Sequence, residues 1–92
     1  MVKLSPKAIT ASLREVPRWK KKGSSITRQF VFKDFVGAMK FVNAVARAAE
    51  KANHHPDIDI RWNKVTLALS THDAGGLTEN DFRLAARCDA LA

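Results

Sequence analysis

The stretch PDIDIRWNKVTLALS, residues 56–70, decides the fold. Ile58, Ile60 and Trp62 alternate with Asp57, Asp59 and Arg61, and after a polar interruption Val65, Leu67 and Leu69 resume the alternation. Period-two patterning of this kind marks a strand with one buried face, and two such runs around a short polar break mark a hairpin. Taking Asn63 and Lys64 as a two-residue turn sets Trp62 opposite Val65, Ile60 opposite Leu67 and Ile58 opposite Leu69. All six apolar residues then share one face, so turn and pattern agree on the register. Extended outward, the same register sets His55 opposite His72 on the other face, with directly opposed Cβ atoms about 4.5–5.5 Å apart. His54, at the turn into the strand, approaches from another side.

Working outward from the hairpin, residues 34–52 carry Phe35, Ala38, Met39, Val42, Val45, Ala46, Ala49 and Ala52 at three- and four-residue steps. That spacing predicts an amphipathic helix of roughly 19 residues, about 28 Å long. Before it, RWKKK and SITRQFVF flank Gly23–Ser25 and read as a second hairpin, with Ile26, Phe30 and Phe32 on one face. In SPKAITASLREVP, Ser5 suits the N-cap and Pro6 the first helical position, while Ile9, Leu13 and Val16 recur at helical spacing up to Pro17. At the other end, Thr78 as N-cap places Asp81 at N3, and Leu77 with Phe82 forms a hydrophobic staple. The order α-β-β-α-β-β-α predicts an α+β domain: a four-stranded antiparallel sheet with three helices packed on one face.

The chain has 92 residues, which makes residues 1–92 a single domain with one core. Hydrophobic residues at 46% and charged residues at 27% match a folded globular protein. No apolar run approaches the roughly 20 residues a bilayer requires, and no secretory segment is evident, so no membrane role and a cytoplasmic location are expected. Cys88 is the only cysteine, which excludes an intramolecular disulfide and a thiolate metal cluster. Sixteen Lys and Arg against nine Asp and Glu leave +7, a charge compatible with nucleic acid, small anions or acidic proteins. The densest basic run, Arg18–Lys22, includes Trp19, but one short run lacks the stripe of cations and stacking aromatics of a nucleic-acid footprint. It reads as a solvated strand end, and no nucleic-acid partner is expected.

All three histidines lie within residues 54–72. A metal site using Glu50 or Asp57 as a fourth ligand is disfavoured, because adjacent side chains diverge whereas helical zinc motifs space their ligands four apart. Proton transfer without metal suits the cluster better, since imidazole titrates near neutrality, at about 6.5 when unperturbed. No serine or cysteine stands in a nucleophile context and no glycine-rich loop follows a strand.

EKANHHP, Trp62 and STHDAGGLTENDF together resemble the signature of the pterin-4a-carbinolamine dehydratases, with Glu50, His54, His55, Pro56, Trp62, His72 and Asp81 at the expected spacing. The resemblance runs through Trp19, FKDF at 32–35 and the final helix, and so covers nearly the whole chain. It implies dehydration of a 4a-hydroxytetrahydropterin to quinonoid dihydropterin, which recycles the pterin of aromatic amino acid hydroxylases. It also implies a homodimer or homotetramer with no metal and no organic cofactor. His54 and His72 resemble the acid–base pair and His55 the substrate-binding histidine. Asn53, Ser70, Thr71 and Asp73 match pocket positions, and Glu50 matches a residue that orients a histidine. Position 53, often an acid in that family, is Asn here; Asp81 is already accounted for as a helix cap. The alternative is a protein- or nucleic-acid-binding module acting as a transcriptional cofactor, since some members of the family bind transcription factors.

Overall fold

In the computed structural model, which describes residues 2–92, the elements follow the expected order. They are α1 (Pro6–Leu13), β1 (Lys20–Lys22), β2 (Ser25–Val31), α2 (Phe35–Ala52), β3 (Asp57–Arg61), β4 (Lys64–Leu69) and α3 (Glu79–Leu91), with a 3₁₀ turn at His72–Ala74. The sheet is antiparallel throughout, in the order β1-β2-β4-β3.

Local chemistry explains the boundaries. Ser5 Oγ accepts from the Ala8 N–H, and Pro6 starts α1 with its ring already at a helical φ. The helix ends at Leu13, earlier than the apolar spacing predicted, and Val16 reaches the core from the turn that follows. Gly23, at φ +61°, supplies the left-handed residue of the β1–β2 turn, with Lys22 paired to Ser25 across it. Asp34 caps α2 by accepting from the Gly37 N–H at 2.8 Å.

The β3–β4 register differs from the expected one by two residues. The turn is Trp62–Asn63, Arg61 pairs with Lys64, Ile60 with Val65 and Ile58 with Leu67. A shift of two preserves which face each side chain occupies, so the hydrophobic pattern cannot distinguish the two registers. Asn63 decides between them: its Nδ2 donates to the Phe32 carbonyl at 2.8 Å, and its own carbonyl accepts from the Phe32 N–H at 2.9 Å. Trp62, in the turn, sits at φ +50°, an unfavourable region for a bulky residue, and is exposed. The expected cross-strand pair of His55 and His72 does not form, because β3 begins at Asp57 and β4 ends at Leu69. Pro56 has no N–H to extend the ladder, and beyond Ser70 the chain folds into the 3₁₀ turn.

One core lies between the sheet and the helices. Ile26, Phe30, Val65, Leu67 and Leu69 meet Phe41, Val45 and Ala49 of α2 and Leu84, Ala85 and Cys88 of α3. Phe30 and Phe32 both lean on Phe41, with centroids 4.6 and 5.0 Å away. Arg28 shares the inner face yet stays paired: it donates to Asp89 and lies over the Phe30 ring at 4.0 Å. Among the described residues, no helix is long and apolar enough to cross a membrane.

Candidate active site

The adjacent histidines part company because of how α2 ends. Asn53 adopts a left-handed conformation, φ 51° and ψ 43°, which Asn tolerates better than most residues. Its N–H donates to the Glu50 carbonyl at 3.2 Å, and the His54 N–H donates to that of Ala49 at 3.1 Å, the paired bonds of a Schellman turn. The chain reverses there, sending His54 inward and leaving His55 outside. The His54 side chain is 12% exposed, that of His55 58%.

His54 meets Asp81, whose carboxylate is completely buried. Nε2 of His54 lies 2.5 Å from Oδ1, while Oδ2 accepts from the Thr71 hydroxyl and from the Thr78 N–H, both at 2.9 Å. Thr78 Oγ1 stands 2.7 Å from Thr71 Oγ1. Since the Thr71 proton points at Asp81, the Thr78 hydroxyl must donate to Thr71, and the protons run Thr78 to Thr71 to Asp81. An acceptor-only carboxylate facing these donors places the His54 proton on Nε2 and leaves Nδ1 as its open nitrogen. Asp81 therefore has two jobs, one per oxygen. The first, completing the start of α3, was legible in the sequence. The second, holding His54, was not, although Asp81 stands in the signature together with the histidines.

Asp81 also ties together the two segments that carry the remaining candidates. Through His54 it grips the end of α2; through Thr71 it grips the strand end that leads into the 3₁₀ turn. Thr71 and Gly76 bond reciprocally through their backbones, at 3.0 and 3.3 Å, and close the base of that turn. His55 and His72 each follow a gripped residue by one position, and both are exposed. His55 Nε2 lies 2.5 Å from Glu50 Oε2, a bond between two exposed side chains. Ser70 and Asp73 are exposed beside His72, and Asn53 is exposed at its turn. Thr71 differs from these neighbours: it is buried, and its hydroxyl and backbone are all engaged. Among the described residues, no group of three or more His, Cys, Asp or Glu side chains converges in a way that would hold a metal ion.

The basic run at residues 18–22 lies apart from this site. Lys20–Lys22 form β1 and are exposed, but Trp19 is buried and its Nε1 donates to Asp89 at 2.8 Å. The one aromatic of the run is thus unavailable for stacking on bases.

Fold and site together define an α+β protein that holds an imidazole–carboxylate dyad beneath a surface bearing two further imidazoles. The chain belongs to the pterin 4 alpha carbinolamine dehydratase family, whose model matches residues 2–91. A relative from Acidobacterium capsulatum, provisionally named a pterin-4-alpha-carbinolamine dehydratase, is 60% identical over 91 residues, 99% of either chain. One from Thermomicrobium roseum with the same provisional name is 50% identical over all of this chain and 99% of its own. Among solved structures, a Brucella melitensis protein described as a transcriptional coactivator/pterin dehydratase superposes with a TM-score of 0.94 at 37% identity, covering 98% of both chains. A pterin dehydratase-like protein identified as a RuBisCO assembly factor in the alpha-carboxysome is more distant: TM-score 0.67, 29% identity, 82% of this chain and 87% of that one.

Proposed function

We propose that the protein dehydrates a 4a-hydroxytetrahydropterin by histidine acid–base catalysis, releasing water and quinonoid dihydropterin for reduction and reuse by an aromatic amino acid hydroxylase. The observation that carries the reading is the dyad of His54 and buried Asp81, joined through Thr71 to the turn that bears His72. Loss of the hydroxyl requires an acid to protonate it at the ring carbon and a base to take the proton from the neighbouring ring nitrogen. Groups positioned for such transfers are worth about 10²- to 10⁴-fold each. His54 can serve at Nδ1 while Asp81 fixes its tautomer and supports the imidazolium form; His72 supplies the partner imidazole. His55, steadied by Glu50, binds the pterin with Asn53, Ser70 and Asp73, and Thr71 contributes from beneath by holding Asp81. In this reading the protein works in the cytoplasm as a homodimer or homotetramer, with no metal or organic cofactor.

Stopped-flow measurement of carbinolamine dehydration with purified protein tests the proposal. Acceleration that survives exhaustive chelation is the expected result. No acceleration would remove the enzymatic reading, and a rate lost on chelation and restored by zinc would replace its metal-free form.

A further inference from the structure

A groove of about 630 Å³ runs between α2 and α3, and His54 lines it where the end of α2 meets the start of α3. The groove therefore opens beside the imidazole that is half of the dyad. From His54 outward its floor is apolar: Ala52, Ala48 and Ala44 succeed one another at four-residue steps along α2, with Leu84 contributed by α3. The track from Ala52 to Ala44 is about 12 Å long. Alanines carry nothing beyond Cβ, so the floor leaves room for a flat group.

Cations accompany the track in two ranks. Lys51 and Arg83 stand nearer His54 in their helices, and Arg47 and Arg87 follow one turn further along. The acids of the two helices are largely spent elsewhere. Glu50, the sole acid of α2, is bonded to His55, Asp81 to His54, and Asp89 to Arg28 and Trp19; only Glu79 reaches the groove, pairing with Arg83 at 3.1 Å. Among the described residues Arg47, Lys51 and Arg87 form no salt bridge, and like charges at i,i+4 destabilise their own helix. The far rank is thus cationic and unpaired, at the end of an apolar path that begins at His54.

We propose that this groove receives the side chain of the pterin, and that the substrate class is a 4a-hydroxytetrahydropterin whose side chain carries an aromatic ring and terminal carboxylates, as in an aminobenzoyl-glutamate tail. The inference rests on the dehydratase reading above and names its substrate more closely. With the pterin ring over the histidines, the side chain leaves past His54, lays its aromatic ring on the alanine track beside Leu84 and brings its carboxylates to Arg47 and Arg87. The ring loses apolar surface to water, and the guanidinium forks can each pair with a carboxylate through two parallel bonds. A short hydroxylated side chain would end beside Lys51 and Asn80 and leave the floor and the far cations unused.

Stable 7,8-dihydropterins, which carry no hydroxyl to lose, serve as probes in calorimetric titration of the full chain. One bears a hydroxymethyl side chain, one an aminobenzoate, and the third, 7,8-dihydrofolate, an aminobenzoyl-glutamate. Affinity should rise along this series, by at least about tenfold from first to last, and the rise should shrink as added salt screens the charges. The Arg47→Glu/Arg87→Glu variant should lose most of that gain while binding the hydroxymethyl compound as before, which also shows that it is folded. Equal affinity for the three compounds, or a gain that survives the charge reversal, would overturn the side-chain site and leave the dehydratase reading standing. Binding of none of the three would overturn the site together with the pterin reading beneath it.

Discussion

His54 and His55 are neighbours in the chain and opposites in the structure. His54 is nearly enclosed, and its partner Asp81 is held by two further donors. His55 is mostly in solvent and bonded to a carboxylate that is itself 77% exposed. The first arrangement restricts both position and tautomer; the second is a surface pair of the kind worth under about 1 kcal/mol. A rigid imidazole suits a step in which a proton must move along a defined line. An exposed, adaptable one suits contact with a ligand that comes and goes.

The strongest challenge to this contrast is His54→Ala. The saturated rate of carbinolamine dehydration should fall about 10²- to 10⁴-fold with little change in KM, since an interaction made mainly in the transition state is lost. His72→Ala should behave alike, and the double variant should lose far more than either single one if each imidazole partly covers for the other. A His54→Ala enzyme with normal kcat and raised KM would reverse the assignment of the pair.

Asp81→Asn separates positioning from chemistry. The amide has nearly the same shape but offers its oxygen and nitrogen to sites that both now require an acceptor. Urea unfolding should show a loss of about 1–3 kcal/mol, the cost of a buried group left mismatched. The folded fraction should retain substrate binding while kcat drops and its pH profile shifts. An unchanged profile would reduce Asp81 to a helix cap.

A smaller effect is expected on the exposed side. His55→Ala should raise KM several-fold at nearly constant kcat, and Glu50→Gln should do the same more weakly. The least effect falls on Cys88, which is buried and whose thiol is pushed up to about 11 by burial and, secondarily, by Asp89. Native protein should therefore resist iodoacetamide at about pH 8 and react only when unfolded, as read by mass spectrometry.

Much of this arrangement was legible in the residues. Capping side chains at Ser5 and Asp81, the period of α2 and the alternation of both hairpins led to the element order and to the buried faces of β2 and β4, whereas Ile58 and Ile60 of the edge strand β3 stay exposed despite their alternation. The register of β3 against β4 was not, because alternation repeats every two residues and the deciding bond, from Asn63 to Phe32, joins segments 31 residues apart. Trp62 in a left-handed turn gave no warning, since local preference favours almost any other residue there. The pairing of His55 with His72 failed for the same reason, as an extrapolation of strand geometry past the last ladder bond. Asp81 illustrates a different limit. A satisfactory local explanation for one carboxylate oxygen concealed the need to ask about the other.

The Schellman turn at Asn53 carries a consequence for how such a chain can vary by insertion and deletion. Two backbone bonds fix the count from Ala49 to His54, so adding or removing one residue between them would bring a different side chain to Asp81. With one residue removed, the second histidine would occupy the place of the first and proline would follow it outward; with one added, neither histidine would face the carboxylate. Variation in length is therefore excluded from these few positions, while position 53 itself is open to glycine as well as asparagine. The spacing between the helix and the histidine pair is a reading frame in space, set by a single left-handed residue.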